Sequence, residues 1–157
     1  MQQTAVDQEV AERVRTAWRE LRRVASTPEV RAAVYDPAVA LDPGQADALD
    51  AVVTHGPCRM SDVAVVLRVD RSSATRAIDR LEAAGLVARR VDPDDARGIV
   101  VAATPSGLAL LGRVRDRATA MLADVLATFS TEDRDRLAEL MERLVGALDD
   151  RRRTTGG

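Results

Sequence analysis

Apolar residues recur at three- and four-residue steps along most of the chain and give way to a strand pattern in one region. In residues 5–25, Val6, Val10, Val14, Ala17, Trp18, Leu21 and Val24 fall on one stripe with charge opposite, which predicts an amphipathic helix. Residues 26–41 contain Pro28 and Pro37 and hold no clean period, so the expectation is a helical fragment over 29–34 flanked by turns. The next helix is announced chemically. Asp42 can accept the Gln45 amide as N-cap, Pro43 suits the first helical position, and Gln45 completes a capping box. Ala46, Leu49, Val52 and Val53 form its expected buried stripe, and Gly56 with Pro57 stops it.

A short helix over 61–67 should bury Val63, Val66 and Leu67, although neither Arg59 nor Met60 is a good cap for it. Asp70 then caps a helix over 71–84, which Gly85 ends. Residues 86–91 and 98–103 have strand composition, and DPDDAR between them is a polar tip rich in turn residues. Helix, tight connection, helix and hairpin make the winged helix-turn-helix plan, which presents one helix to the DNA major groove and a loop beside it.

Thr104 and Pro105 repeat the cap-then-proline signal and launch a helix to about residue 128, on the order of 35 Å long. Leu108, Leu111, Val114, Ala118, Met121, Leu122 and Val125 share its apolar face. Ser130 with Asp133 starts a last helix carrying Leu137, Leu140, Met141, Leu144, Val145 and Leu148, and 151–157 reads as a disordered tail. The fold class is therefore mainly α with a small β-hairpin wing. Residues 42–104 suffice for the winged domain, while 1–41 and 105–150 carry more apolar surface than one such domain covers. A symmetric homodimer built on these terminal helices is the economical expectation, with a monomeric helical cap as the alternative.

Composition narrows the function. With 157 residues, 46% hydrophobic and 31% charged, the chain has the make-up of a soluble globular protein, and 2% aromatics imply an aliphatic core. A formal net charge of −2 excludes a bulk-basic nucleic-acid binder, so any DNA contact must come from a local patch. A single cysteine, Cys58, permits no intrachain disulfide and fits a reducing cytoplasm. No apolar run approaches the ~20 residues of a membrane span, and the first residues have no apolar signal core. His55 is the only histidine and no ligand cluster surrounds it, so neither a metal nor another cofactor is expected. No nucleophile-base set or phosphate loop stands out, so an enzyme is not expected.

Placing side chains at 100° steps on residues 71–84 puts Ala74, Ala77, Ile78 and Leu81 on one side. Ser72, Ser73, Thr75, Arg76, Asp79 and Arg80 fall opposite, with Arg76 near the centre. Small hydroxyls near a helix N-terminus can meet phosphates or base edges, and arginine can pair guanine bidentately. Asp79 is acidic and is expected to orient Arg76 or Arg80 rather than to touch DNA.

The run DARGIVVAAT resembles the wing signature of the multiple-antibiotic-resistance regulator (MarR) family, Asp-x-Arg, three residues, Val, two residues, Thr. Those positions are Asp95, Arg97, Val101 and Thr104, with Ala103 where the family usually has leucine. DRSSATRAIDRLEAAGLVARR is similar to the family's recognition helix and its exit into the wing, and DPGQADAL to the preceding helix. The resemblance covers roughly residues 42–150. It implies a homodimeric, triangular, mostly helical winged-helix protein in which Arg97 enters the minor groove from the wing tip and Asp95 holds the wing. A narrow minor groove concentrates negative potential, which a hairpin-mounted arginine can use. Many members also bind small aromatic or phenolic acids between the dimer helices and the winged lobe. Trp18, Arg22 and Tyr35 are the candidates here, with Trp18 read first as a core residue of its helix and only second as a pocket residue. Some relatives sense oxidants through a cysteine in the first helix, whereas Cys58 lies in an expected loop.

The reading is a cytoplasmic, ligand-responsive transcriptional regulator, a repressor binding double-stranded DNA at an inverted repeat as a homodimer. Asp92, Asp94 and Asp95 crowd the wing and would oppose DNA unless paired, with Arg97, Arg89 or Arg90 as expected partners. That crowding supports the rival: a winged-helix dimer without DNA binding, serving as a protein-interaction or small-molecule-binding module.

Overall fold

A computed structural model of the chain describes residues 2–35 and 41–155, without the side chains of 2–6 and Ala96. The Val6 side chain and residues 36–40, including Pro37, thus lie outside the described residues. In chain order the elements are α1 (Gln2–Ala25), α2 (Pro28–Val34), α3 (Pro43–His55), β1 (Cys58–Arg59), α4 (Met60–Leu67), α5 (Arg71–Ala83), β2 (Val87–Asp92), β3 (Asp95–Ala103), α6 (Pro105–Leu126) and α7 (Thr131–Thr155). They divide into two compact units, Met1–Ala118 and Thr119–Gly157. Among the described residues no helix is long and apolar enough to cross a membrane.

Most helices begin where the side-chain chemistry predicts. Asp42 accepts the Gln45 amide at 2.8 Å while the Gln45 side chain accepts the Asp42 amide at 2.9 Å, a complete capping box for α3. The Thr104 hydroxyl accepts the Gly107 amide at 3.1 Å and donates to the Gly85 carbonyl at 2.7 Å, so one side chain caps α6 and ties it to the turn after α5. α4 starts one residue earlier than expected and is only half capped. Arg59 has no acceptor to offer, and Asp62 returns a single bond to the Arg59 amide at 3.2 Å.

Three expectations about strands, turns and tails change. Cys58 and Arg59, expected in a loop, form a strand whose residues pair with Val101 and Val100, giving an antiparallel sheet of order β1-β3-β2. Two residues display no period, so only the partner strand reveals them. The polar tip DPDDAR shrinks to a turn at Pro93 and Asp94, with a register irregularity between Val91 and Asp92. Arg97 therefore sits within β3 rather than on the tip. The ladder continues through polar residues because backbone bonds, not burial, hold a hairpin that projects into solvent. Finally, 151–155 continue α7 instead of forming a disordered tail.

In the first unit α3, α4, α5, the sheet and the start of α6 share one aliphatic core. Leu49, Val52, Val63, Ile78, Leu81, Val87, Val101 and Leu110 are fully buried. Each large aliphatic side chain so buried contributes about 1.5–3 kcal/mol. On α4, Ala64 is buried while Val66 is 38% exposed, because the helix turns its Val63–Ala64 edge inward. Trp18 is not a core residue: it is 43% exposed, in a row with Val10, Val14, Leu21 and Val24. In the second unit Phe129, Leu137, Leu140, Met141, Val145 and Leu148 are likewise exposed. Arg134 there donates from Nε to the Leu126 carbonyl at 2.8 Å, capping α6.

Gly107 sets the approach of α6 to the sheet. A Cβ at this position would lie 2.1 Å from the Leu86 carbonyl oxygen, which already accepts the Thr104 amide at 3.0 Å. Gly107→Ala should lower unfolding stability by about 1–3 kcal/mol in a urea titration. Gly112→Ala, where nothing lies within 4 Å, should raise it by a fraction of that through helix propensity, roughly 0.5–1 kcal/mol.

Candidate nucleic-acid interface

α5 is held by its inner face. Ala74, Ile78 and Leu81 are completely buried and Ala77 is half-buried, so the opposite face must point to solvent. Arg76 and Arg80 are exposed, and they line a cavity of about 250 Å³ against the start of α3, with Asp42, Asp47 and Leu67 on its other walls. Arg80 reaches Asp42 at 3.3 Å, a pair open enough to solvent that water and salt screen it.

The first turn of α5 is organised around Asp70. Its carboxylate accepts the Ser72 hydroxyl at 2.6 Å, the Ser73 hydroxyl at 2.7 Å and the Ser73 amide at 2.9 Å. These bonds, the Ser72 hydroxyl first, hold Asp70 well below the usual carboxylate range. Thr75 donates its hydroxyl to the Arg71 carbonyl at 2.8 Å. Ser72, Ser73 and Thr75 thus spend their single protons inside the chain, and in this arrangement offer only lone pairs outward. The arginines are the donors. Arg76 rests one nitrogen on the Ser73 hydroxyl at 3.2 Å and keeps the rest of its guanidinium free to meet an anion.

Asp79 does not orient Arg76 or Arg80. It accepts Arg89 of β2 at 2.5 Å, and Glu82 accepts the same guanidinium, so Arg89 staples the hairpin to α5. Asp92 and Asp95 are paired, but by none of the three expected arginines, and Asp94 makes no ion pair among the described residues. Arg59 of β1 donates to Asp92 at 2.9 Å and to Asp95 at 3.1 Å. Asp92 also accepts the Asp94 amide at 3.0 Å, and these bonds, the Asp94 amide foremost, draw its pKa down. Asp95 accepts the Arg97 amide at 3.1 Å, which holds the start of β3. The Arg97 side chain is exposed and makes no ion pair among the described residues.

Of the other candidates, Trp18 and Arg22 lie one turn apart on the exposed face of α1, while Tyr35 is half-buried against the core. No hydrogen bond joins the three among the described residues. Cys58 is half-buried in β1, and burial, with Asp62 adding to it, pushes its thiol pKa up, which makes it a poor nucleophile at neutral pH. No group of residues able to hold a metal is found among the described residues. Arg59 and Arg71 are the residues sequence reasoning missed. Arg71 follows the cap Asp70 directly and stands exposed one turn before Thr75, a position the cap itself could have revealed. Arg59 had no such signal.

The MarR family model matches residues 41–98. A protein of Thauera aromatica named for regulation of its hcr operon is 31% identical over 102 residues, 65% of this chain and 61% of its own length. An HTH-type transcriptional regulator of Mycobacterium tuberculosis is 30% identical over 106 residues, 68% of this chain and 74% of its own. Among solved structures, a MarR family protein from Bacillus stearothermophilus has a TM-score of 0.73 at 21% identity, covering 92% of this chain and 96% of its own. BpsR of Bordetella bronchiseptica, whose DNA binding is regulated by 6-hydroxynicotinic acid, has a TM-score of 0.65 at 24% identity, covering 87% and 92%.

Because the folded pKa of Asp70 is depressed, its stabilisation is complete above the ordinary carboxylate pKa and is lost as pH falls toward the folded value. Asp70→Ala should therefore lower the melting temperature clearly at about pH 7, and the gap to wild type should shrink below about pH 4. Thermal melts followed by circular dichroism at both pH values check this.

Proposed function

The chain belongs to the MarR family of transcriptional regulators, and from that footing we propose that it is a ligand-responsive repressor that binds an inverted-repeat operator as a homodimer. α5 enters the major groove, with Arg76 and Arg80 as its donors and Ser72, Ser73 and Thr75 beside the backbone. Arg97 reaches the neighbouring minor groove from the wing, with Asp95 as its support. The observation that carries this reading is the division of charge on the hairpin. Asp92 and Asp95 are occupied by Arg59, while Arg97 is left exposed without an ion pair.

That division weakens the main support of the rival, a winged-helix dimer without DNA binding. Two of the three wing aspartates, Asp92 and Asp95, are paired within the chain, while Asp94 makes no ion pair among the described residues. Dimerisation is supported by the apolar rows left exposed on α1 and, separately, on α7, which a single copy leaves in water. Response to a small aromatic acid is supported by family membership and by the Bordetella neighbour.

Gel-shift titration against the DNA upstream of the chain's own gene should give binding that weakens steeply with salt, the slope falling by about 0.9 per phosphate contact. Binding that is absent or indifferent to salt would sink the proposal. Arg97→Ala should cost on the order of 1–3 kcal/mol in DNA affinity with folding unchanged; affinity equal to wild type would remove the wing from the interface. Sedimentation equilibrium should give twice the chain mass, and charged substitutions at Leu21 and Leu140 should return it to a monomer.

A further inference from the structure

The hairpin tip is poorly supported by packing. Beneath it lies a cavity of about 550 Å³ between the wing, the end of α3 and α4, lined by His55, Pro57, Val63, Val66, Pro93 and Asp94 among others. Apolar contact therefore does not fix where the tip points. What crosses from the helices to the tip is the Arg59 side chain. Its backbone is held at the start of α4 by Asp62, and its strand pairs with β3 through Val100. Its guanidinium donates twice to Asp92, at 2.9 and 3.2 Å, and once to Asp95, at 3.1 Å. Asp92 is only 11% exposed, while the Arg59 side chain stays half open to solvent. Gly98 permits this: a Cβ there would come within 3.1 Å of Asp92 and 3.3 Å of the Arg59 guanidinium.

Asp95 is the link onward. One carboxylate oxygen takes Arg59 and the other takes the Arg97 amide, so the direction in which β3 leaves the turn is set by a carboxylate that Arg59 anchors. We propose that Arg59 is a positioning residue for Arg97, acting through Asp92 and Asp95 and not by touching DNA. The proposal rests on the reading of Arg97 as a DNA contact.

The experiment is a double-mutant cycle on the full chain, using the duplex that the wild-type chain enriches from a random-sequence pool. Arg59→Gln should weaken binding about tenfold in the wild-type background and hardly at all in an Arg97→Ala background. Asp95→Asn should reproduce that pattern from the other side of the clamp, and Arg59→Lys should restore part of the affinity. In the free chain, amide hydrogen exchange at Arg97 should speed up in Arg59→Gln while the core amides keep their protection. Additive losses with a shallower salt slope would make Arg59 a phosphate contact and overturn the proposal. So would unchanged affinity in Arg59→Gln, or loss of protection in the core as well as the wing. If the wild-type chain enriches no duplex, DNA binding itself fails, whereas full Arg97→Ala affinity with an additive Arg59 loss removes only the wing reading.

Discussion

Burial of Ala74, Ile78 and Leu81 on one face of α5 orients everything else that matters on that helix. A helix has one angular relation between its faces, so once three positions are sealed among α3, α4 and the sheet, the remaining positions have no freedom about where to point. Arg76 faces solvent because Ile78 cannot. The same core reaches the base of the hairpin through Val87 and Val101 and reaches α6 through Leu110 and Leu111, which ties the helix and the base of the wing to one packed core.

Charge is the second constraint, and it is resolved locally. A chain of net charge −2 can present a positive face only by spending its acids elsewhere. Asp70 is spent on capping α5, Asp42 on capping α3 and on Arg80, and Asp79 with Glu82 on Arg89. Asp92 and Asp95 are spent on Arg59. Each ion pair offsets part of the negative charge near the helix or the wing. Asp70 keeps its charge at the N-terminus of α5, where the helix dipole favours it. Each of these bonds also fixes a loop or a helix start. The wing signature shows the same economy of roles. Val101 is core, Thr104 is a cap, Asp95 is a brace, and Arg97 alone among the four faces outward unpaired.

Much of this was legible in the residues. The caps Asp42, Asp70 and Thr104, the stripe of α5 and the hairpin itself follow from local chemistry and period, because their causes lie within a few residues of one another. The wing residues were legible through resemblance, not through physics. The missed parts have causes distant in sequence. β1 exists only because β3 pairs with it, Arg59 meets aspartates more than thirty residues away, and Trp18 is exposed although its stripe is that of a core helix.

Local sequence therefore determined the main helices, the two strands of the hairpin and which face of α5 is apolar, since backbone bonding and side-chain period act over one or two turns. The tertiary structure decided where the hairpin turns, that a third strand closes the sheet, and which arginine pairs with Asp92 and Asp95. Those outcomes depend on distances between groups remote in the chain, and period and capping carry no information about such distances. Arg59 could have been a solvated surface residue anywhere else in the fold; at the start of α4, within reach of two aspartates, it becomes the strut of the wing.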